Sequence, residues 1–272
     1  MKYNILDKEE TDTDIIVSIS PDEAEYAKLK DKVTLEYKQK ATITGFRKGK
    51  APIQMVLDKY EKDIFLDSYE VNMRKALEFL EENGITSKFL PDLLEYKEDK
   101  IKLRFYKDIE VILPESCIKI DRELNKSAIE KIEALTFKLT DDDVVKLIDN
   151  ILSQITYRVS ELLIDRYTEE EFSESTQKIE KLGLVLADYI SSIGLTEEQY
   201  KANIRKKVVR DIIFSFFIKE YNKKKNLTIN DNIYSEFKKH NSIKVPIKEL
   251  KDNVNVNYYL EMYLTLSDII NK

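Results

Sequence analysis

Glycine occurs only five times in 272 residues, and proline only five times. Compact α/β enzymes use glycine freely in tight turns. A chain so poor in it, with 35% charged and 42% apolar residues, favours solvent-washed helices joined by few sharp turns. The few glycines therefore act as landmarks. Two of them, with one proline, an aromatic and three cations, fall in Gly45-Phe46-Arg47-Lys48-Gly49-Lys50-Ala51-Pro52. Pro52 cannot continue a helix from upstream. The stretch predicts an ordered loop between two helices, shaped by Gly45, Gly49 and Pro52, that holds Phe46, Arg47 and Lys48 out to solvent.

The surrounding pattern predicts an α+β unit over residues 1–113. Tyr3–Leu6 and Asp14–Ile19 read as two short strands around an acidic turn. Ser20-Pro21-Asp22-Glu23 reads as a helix start, with Ser20 as cap, Pro21 in the first turn and Glu23 closing a capping box. Tyr26, Leu29, Val33 and Tyr37 then recur at helical spacing, to an expected end near Thr44. Beyond the loop, a short helix over Ile53–Tyr60 leads into a longer one over Lys62–Glu82, with Tyr69, Met73, Ala76, Leu77 and Leu80 inward and Asn83-Gly84 as its stop. Ile85–Leu90, Lys100–Tyr106 and Ile109–Ile112 read as strands.

Residues 114–272 predict a connector and then helices. An edge strand is expected over Leu135–Leu139. One long helix is expected from a Thr140-Asp141-Asp142-Asp143 cap to about Arg166, with Val144, Ile148, Ile151, Ile155, Val159 and Leu162 inward. Glu169–Ile193 is expected as the next, with Ile179, Leu182, Leu186, Tyr189 and Ile193 inward and Gly194 as its stop. Thr196-Glu197-Glu198-Gln199 is a capping box opening a helix through Lys225, apolar nearly all round in its middle and so expected to be a buried spine. Asn230 caps a helix carrying Ile233 and Phe237, and Pro246 precedes a last one with Leu250, Val254, Leu260, Tyr263, Leu264 and Ile270.

No catalytic constellation assembles from these residues. His240 is the only histidine and lies in a lysine-rich stretch; Cys117 is the only cysteine, so no disulfide can form within the chain. A metal site of the usual kind lacks its ligands, and no cofactor is expected. The acids of 141–143 and 169–171 sit at helix starts, where the helix dipole explains them without a cation. The Gly45–Lys50 stretch also fails as a phosphate loop. It has three residues rather than four between its glycines, and Ala51 where a magnesium-binding hydroxyl is needed. No run of 18 apolar residues occurs, and the N-terminus lacks a signal-peptide pattern, so a cytoplasmic protein with no membrane contact is expected. A net charge of −6 argues against general DNA or RNA binding and leaves only a local basic patch for such contact.

The stretch Gly45–Pro52 resembles the ribosome-binding signature of bacterial trigger factors, chaperones of the polypeptide exit tunnel. In that family the motif lies between two helices of an N-terminal α+β domain entered through two strands, as here. Ser20-Pro21-Asp22-Glu23 falls where the family's long first helix begins. Leu139-Thr140-Asp141-Asp142-Asp143-Val144 resembles the stretch leading out of that domain, and Leu182–Tyr200 and the helix through Tyr221 to Leu227-Thr228-Ile229 resemble its helical substrate-binding domain.

The resemblance implies an α+β ribosome-binding domain followed by an extended, mostly helical chaperone domain. It implies Phe46, Arg47 and Lys48 as the contact with protein and rRNA of the large ribosomal subunit, and unfolded or nascent polypeptides as clients. The family's FK506-binding-protein-type prolyl isomerase domain has no room in this chain, so a non-enzymatic holdase is expected. By spacing alone the loop reads as an ordinary basic turn, and the order of elements around it favours docking. A helical adaptor for one folded partner, such as a ribosomal protein, is the alternative.

Overall fold

The computed structural model describes residues 1–272, which divide into two compact units, Met1–Asp108 and Ile109–Lys272. The first is built on a four-stranded antiparallel sheet. Strands β1 (Tyr3–Glu10), β2 (Asp14–Pro21), β3 (Asp92–Lys97) and β4 (Lys100–Tyr106) lie in the order β1-β2-β4-β3. Two helices complete the unit, α1 (Glu23–Lys40) and α2 (Ile53–Glu82). Alternation along the strands sends Val17, Ile19, Ile101, Leu103 and Phe105 to one face, where Ala76 and Leu80 of α2 bury them. Three polar groups fix α2 on that face. The Tyr3 hydroxyl donates to Asn72 Oδ1 (2.7 Å), and Asn72 Nδ2 donates to the Tyr96 hydroxyl (3.2 Å). Burial raises the Tyr3 hydroxyl well above the ordinary tyrosine range, which keeps it a donor at any physiological pH.

Several expectations shift by a few residues, each for a physical reason. Pro21 is still paired with Tyr3 at the end of β2, so the cap of α1 is Asp22, which accepts from the Glu25 N–H (3.0 Å), and not Ser20. α1 stops at Lys40, short of Thr44, because Ala41 is already extended. The two helices expected after Pro52 do meet at Tyr60, whose φ of −118° and ψ of 19° leave the helical region, and α2 runs on across that kink. Ile85–Leu90 forms no strand; the edge strand is β3, just beyond Pro91.

The second unit begins five residues before the expected 113/114 boundary. Its first strand, β5 (Glu110–Ile112), pairs antiparallel with β6 (Thr156–Arg158), which removes it from the first unit's sheet. Helices follow: α3 (Lys126–Glu133), α4 (Asp142–Leu152), α5 (Glu161–Lys181), α6 (Leu186–Ser192), α7 (Glu197–Lys225), α8 (Asp231–His240), α9 (Ile247–Lys251) and α10 (Val254–Ile270). α7 is the spine. Its Thr196–Gln199 capping box is fully formed, and Ile213, Phe214, Phe217 and Ile218 are buried; the helix packs against α4, α5 and α10. A buried hydrogen bond from Thr265 Oγ1 to Asn222 Oδ1 (2.8 Å) sets the register of α10 on α7.

Four expectations in this unit are overturned. Residues 135–139 form no strand, since Leu135 sits at φ 53° beyond the unforeseen helix α3. The long helix from Thr140 breaks after Leu152, and Thr156-Tyr157-Arg158 pairs with β5 instead. The helix expected over Glu169–Ile193 is divided at Gly183 (φ 77°), which leaves Leu182 and Ile193 exposed rather than inward. The last expected helix is likewise two, α9 capped at Pro246 and α10 at Asn253, with Val254 outside.

The acids at the start of α4 have a partner. Lys131 Nζ lies 2.8 Å from Asp143 and 3.4 Å from Asp141, and Ser127 donates to Asp143. These bonds, led by the one from Lys131, hold the Asp143 carboxyl down at about 2. A carboxyl bound below its unfolded value stabilises the fold above that value and loses the effect as pH falls through the folded one. The melting temperature should therefore drop as pH falls from roughly 4, the unfolded value, to about 2, the folded one. Asp143→Asn should flatten that part of the profile, as followed by circular dichroism.

Candidate functional site

The loop between α1 and α2 is two consecutive turns. The Phe46 N–H donates to the Ile43 carbonyl (3.0 Å), and the Lys50 N–H donates to the Arg47 carbonyl (2.9 Å). Gly45 (φ 88°) and Gly49 (φ 78°) each occupy the third position of a turn, where a positive φ suits glycine and strains other residues. Pro52 then caps α2, and its carbonyl accepts from Met55 and Val56. Gly45 and Gly49 thus stand at turn positions of this loop and Pro52 at the cap of α2.

Beneath the turns lies a small apolar cluster. Ile43 and Ala51 point inward and are buried with Val33, Ala41, Val56 and Ile64, with Leu29, Tyr37, Leu57 and Tyr60 packed around them. Lys59 Nζ donates to the Thr42 carbonyl (2.8 Å), a further tie across the base of the loop. Sequence reasoning missed these anchors, although the alternation of Ile43 and Ala51 with polar neighbours carries their signal.

With its ends pinned, the loop turns Phe46, Arg47 and Lys48 outward together. Phe46 is 40% exposed, and both cations are exposed without an ion pair. Ile53 and Met55 at the start of α2 add exposed apolar side chains nearby in the chain. A pinned loop presenting a ring beside two free cations can insert an apolar anchor while its charges meet an anionic surface.

The second unit has a different kind of surface. Between the end of α5 and the start of α7, the turns at Gly183 and Gly194 leave Leu182 (77% exposed), Leu184, Val185 (62%) and Ile193 uncovered. Below them Phe172, Tyr189 and Tyr200 form a cluster, with ring centres 6.2 and 6.3 Å apart. The flank of α5 against α7 is held by ion pairs, among them Lys207 to Glu171 (2.6 Å) and Arg205 to Asp165 (3.4 Å). A separate groove of about 640 Å³ runs between α4, β6 and α7, with Leu152, Tyr157, Val209 and Ile213 on its walls. Tyr259, in contrast, stacks on Phe137 inside the unit.

The whole architecture has a counterpart. A solved structure of the trigger factor chaperone, described in connection with promiscuous substrate recognition in folding and assembly activities, superposes with a TM-score of 0.64. The match covers 100% of both chains at 12% identity, so it shows a shared fold. The family profile described as "Bacterial trigger factor protein (TF)" matches residues 1–151, and that of "Bacterial trigger factor protein (TF) C-terminus" matches residues 123–261. The chain belongs to the trigger factor family. Trigger factor from Buchnera aphidicola subsp. Acyrthosiphon pisum (strain Tuc7) is 28% identical over 190 residues, 66% of this chain and 41% of that protein. Trigger factor from Helicobacter acinonychis (strain Sheeba) is 32% identical over 97 residues, 34% of this chain and 22% of that protein. The chain thus spans well under half the length of these relatives.

The missing length includes the middle isomerase domain. α4 and α5 are separated only by residues 153–160, within which β6 is the sole element, and the two family segments overlap over 123–151. No segment of the chain remains for an intervening domain, which would need at least about 50 residues.

Proposed function

We propose that the protein is an ATP-independent chaperone that docks on the large ribosomal subunit through Phe46, Arg47 and Lys48 and holds unfolded segments on its second unit. The observation that carries the reading is the pinned loop, which keeps a phenylalanine and two unpaired cations exposed together. An exposed phenylalanine gains nothing in the free protein and gains apolar burial on contact. Membership of the family and the match of its N-terminal profile over the loop support docking at the exit tunnel, in the cytoplasm. Co-sedimentation of the chain with large subunits is the direct test, and absence from the pellet at low salt would refute docking.

Client holding rests on Leu182, Leu184, Val185 and Ile193, which their own unit leaves close to half exposed or more. Apolar surface of this kind binds unfolded segments weakly and releases them without nucleotide. Changing Leu182, Leu184 and Val185 together to serine should at least halve the suppression of aggregation of several unrelated denatured proteins, by light scattering. The melting temperature should move little, because Leu182 and Val185 are mostly exposed and Leu184 is half exposed. Protection of one client only would favour the adaptor reading. Loss of the middle domain favours a non-enzymatic role, and a proline-containing model peptide should isomerise at its background rate in its presence.

A further inference from the structure

The pair of helices α1 and α2 carries a second concave surface, away from the loop that joins them. A groove of about 750 Å³ runs between the two helices, wholly within the first unit. Its floor is apolar, with Val33 buried and Leu29 and Val71 half-buried. Its charges are sorted along its length. Along α1 the groove meets Lys28 and Lys32 and then Glu36. Along α2, which runs back the other way, it meets Lys75 and Arg74 and then Glu70 and Asp67. One end is therefore cationic, and the end toward the loop is acidic. Glu25 also lies at the cationic end, but it is engaged by the Lys2 N–H (2.6 Å).

These charges do not satisfy one another. None of the four cations is in an ion pair, and neither is Glu36 or Glu70. Glu70 and Arg74 are four residues apart in the favourable order, yet they do not pair. Lys28 and Lys32, also four apart on one helix, repel each other. Asp67 accepts from the Tyr37 hydroxyl (2.9 Å), which leaves its charge uncompensated.

We infer that this groove binds an amphipathic helix of a partner protein, acidic in its first half and basic in its second. The inference is independent of docking through the loop. A trough between two packed helices accepts the ridge of a third, and an apolar stripe on that ridge covers Leu29, Val33 and Val71. Its acids meet Lys28, Lys32, Arg74 and Lys75, and its cations meet Glu36, Asp67 and Glu70. Helices favour acids near their start and cations near their end, because of the dipole. The partner helix therefore runs in the direction of α1. From Glu25 to Glu36 the groove follows α1 for about 16 Å, or about three turns of a helix. The acids at one end disfavour a nucleic acid. An unfolded segment lacks the fixed spacing that sorted charges match.

Two fluorescein-labelled peptides of about four helical turns test the inference. Both are alanine-rich, with the same composition and the same leucine stripe. One has glutamates in its first half and lysines in its second, and the other has that order reversed. Binding to the full chain is read by fluorescence anisotropy at low salt. The acid-first peptide should bind at least about tenfold more tightly than its reverse, and the difference should shrink as salt rises. The exchange Lys28→Glu/Arg74→Glu/Glu36→Lys/Glu70→Lys keeps the net charge and should make the reversed peptide the tighter ligand. All four side chains are exposed, so circular dichroism should stay native.

Equal binding of the two peptides would mean that the charge order is not read, and would overturn the inference. A preference that survives the exchange would place the binding elsewhere, with the same consequence. Failure of both peptides to bind the unaltered chain also overturns it.

Discussion

A chain carrying Phe46→Ala, Arg47→Ala and Lys48→Ala together should stay in the supernatant when large ribosomal subunits are pelleted, under conditions in which the unaltered chain sediments with them. The expected loss follows from the loop. A charge-assisted hydrogen bond contributes about 1.5–3 kcal/mol, and burying much of an exposed phenylalanine ring adds about 1–2 kcal/mol. The contributions are not additive, and a combined loss of about 3–4 kcal/mol is an affinity reduction of several hundred-fold. The fold should not register the change, because the loop is held by residues that remain. Ile43 and Ala51 stay buried, Lys59 still donates to the Thr42 carbonyl, and both glycines keep their positive φ. Circular dichroism and melting temperature should match the parent. Undiminished sedimentation of this variant would remove the loop from the docking surface, whatever else binds.

The loop was legible in the sequence because its signals are local. A glycine at a positive-φ turn position, a proline at a helix cap and a short run of cations act within a few residues of themselves: Gly45 and Gly49 take a positive φ, Pro52 caps α2, and Phe46, Arg47 and Lys48 are exposed. Capping is local too, and Thr196 and Asn230 cap their helices as expected. The misreadings fall where a distant partner decides. Residues 155–159 continue the helical stripe begun at Val144. Their β-branched and aromatic side chains equally suit a strand, and pairing with Glu110–Ile112 selects the strand. Leu182 and Ile193 fit an inward stripe only while the helix is continuous, and the stop at Gly183 turns them out. Gly183 was a landmark of the same kind as Gly45, but the apolar periodicity spanning it masked the stop. The strand Asp92–Lys97 is hidden for another reason. As an edge strand it buries little, so its apolar alternation is faint and its identity comes from the ladder with Lys100–Tyr106.

Phe217→Ala should separate the two activities. Phe217 is fully buried on α7, with its ring 6.0 Å from that of Phe214 and 5.5 Å from that of Tyr221. Removing a ring from such a site destabilises by about 3–5 kcal/mol, through lost burial and the cavity left behind. Polar bonds around the site resist collapse of that cavity. Tyr221 donates to Asp268 (2.9 Å), and Thr265 donates to Asn222 (2.8 Å), which together hold α10 at a set distance from α7. For a unit of this size the melting transition should fall by roughly 10 °C. The docking loop is anchored by a different cluster, made wholly of residues from Leu29 to Ile64. Above the lowered transition, suppression of aggregation should disappear while co-sedimentation with large subunits persists. Loss of both at one temperature would mean that the first unit cannot hold its docking loop once the core around α7 has melted.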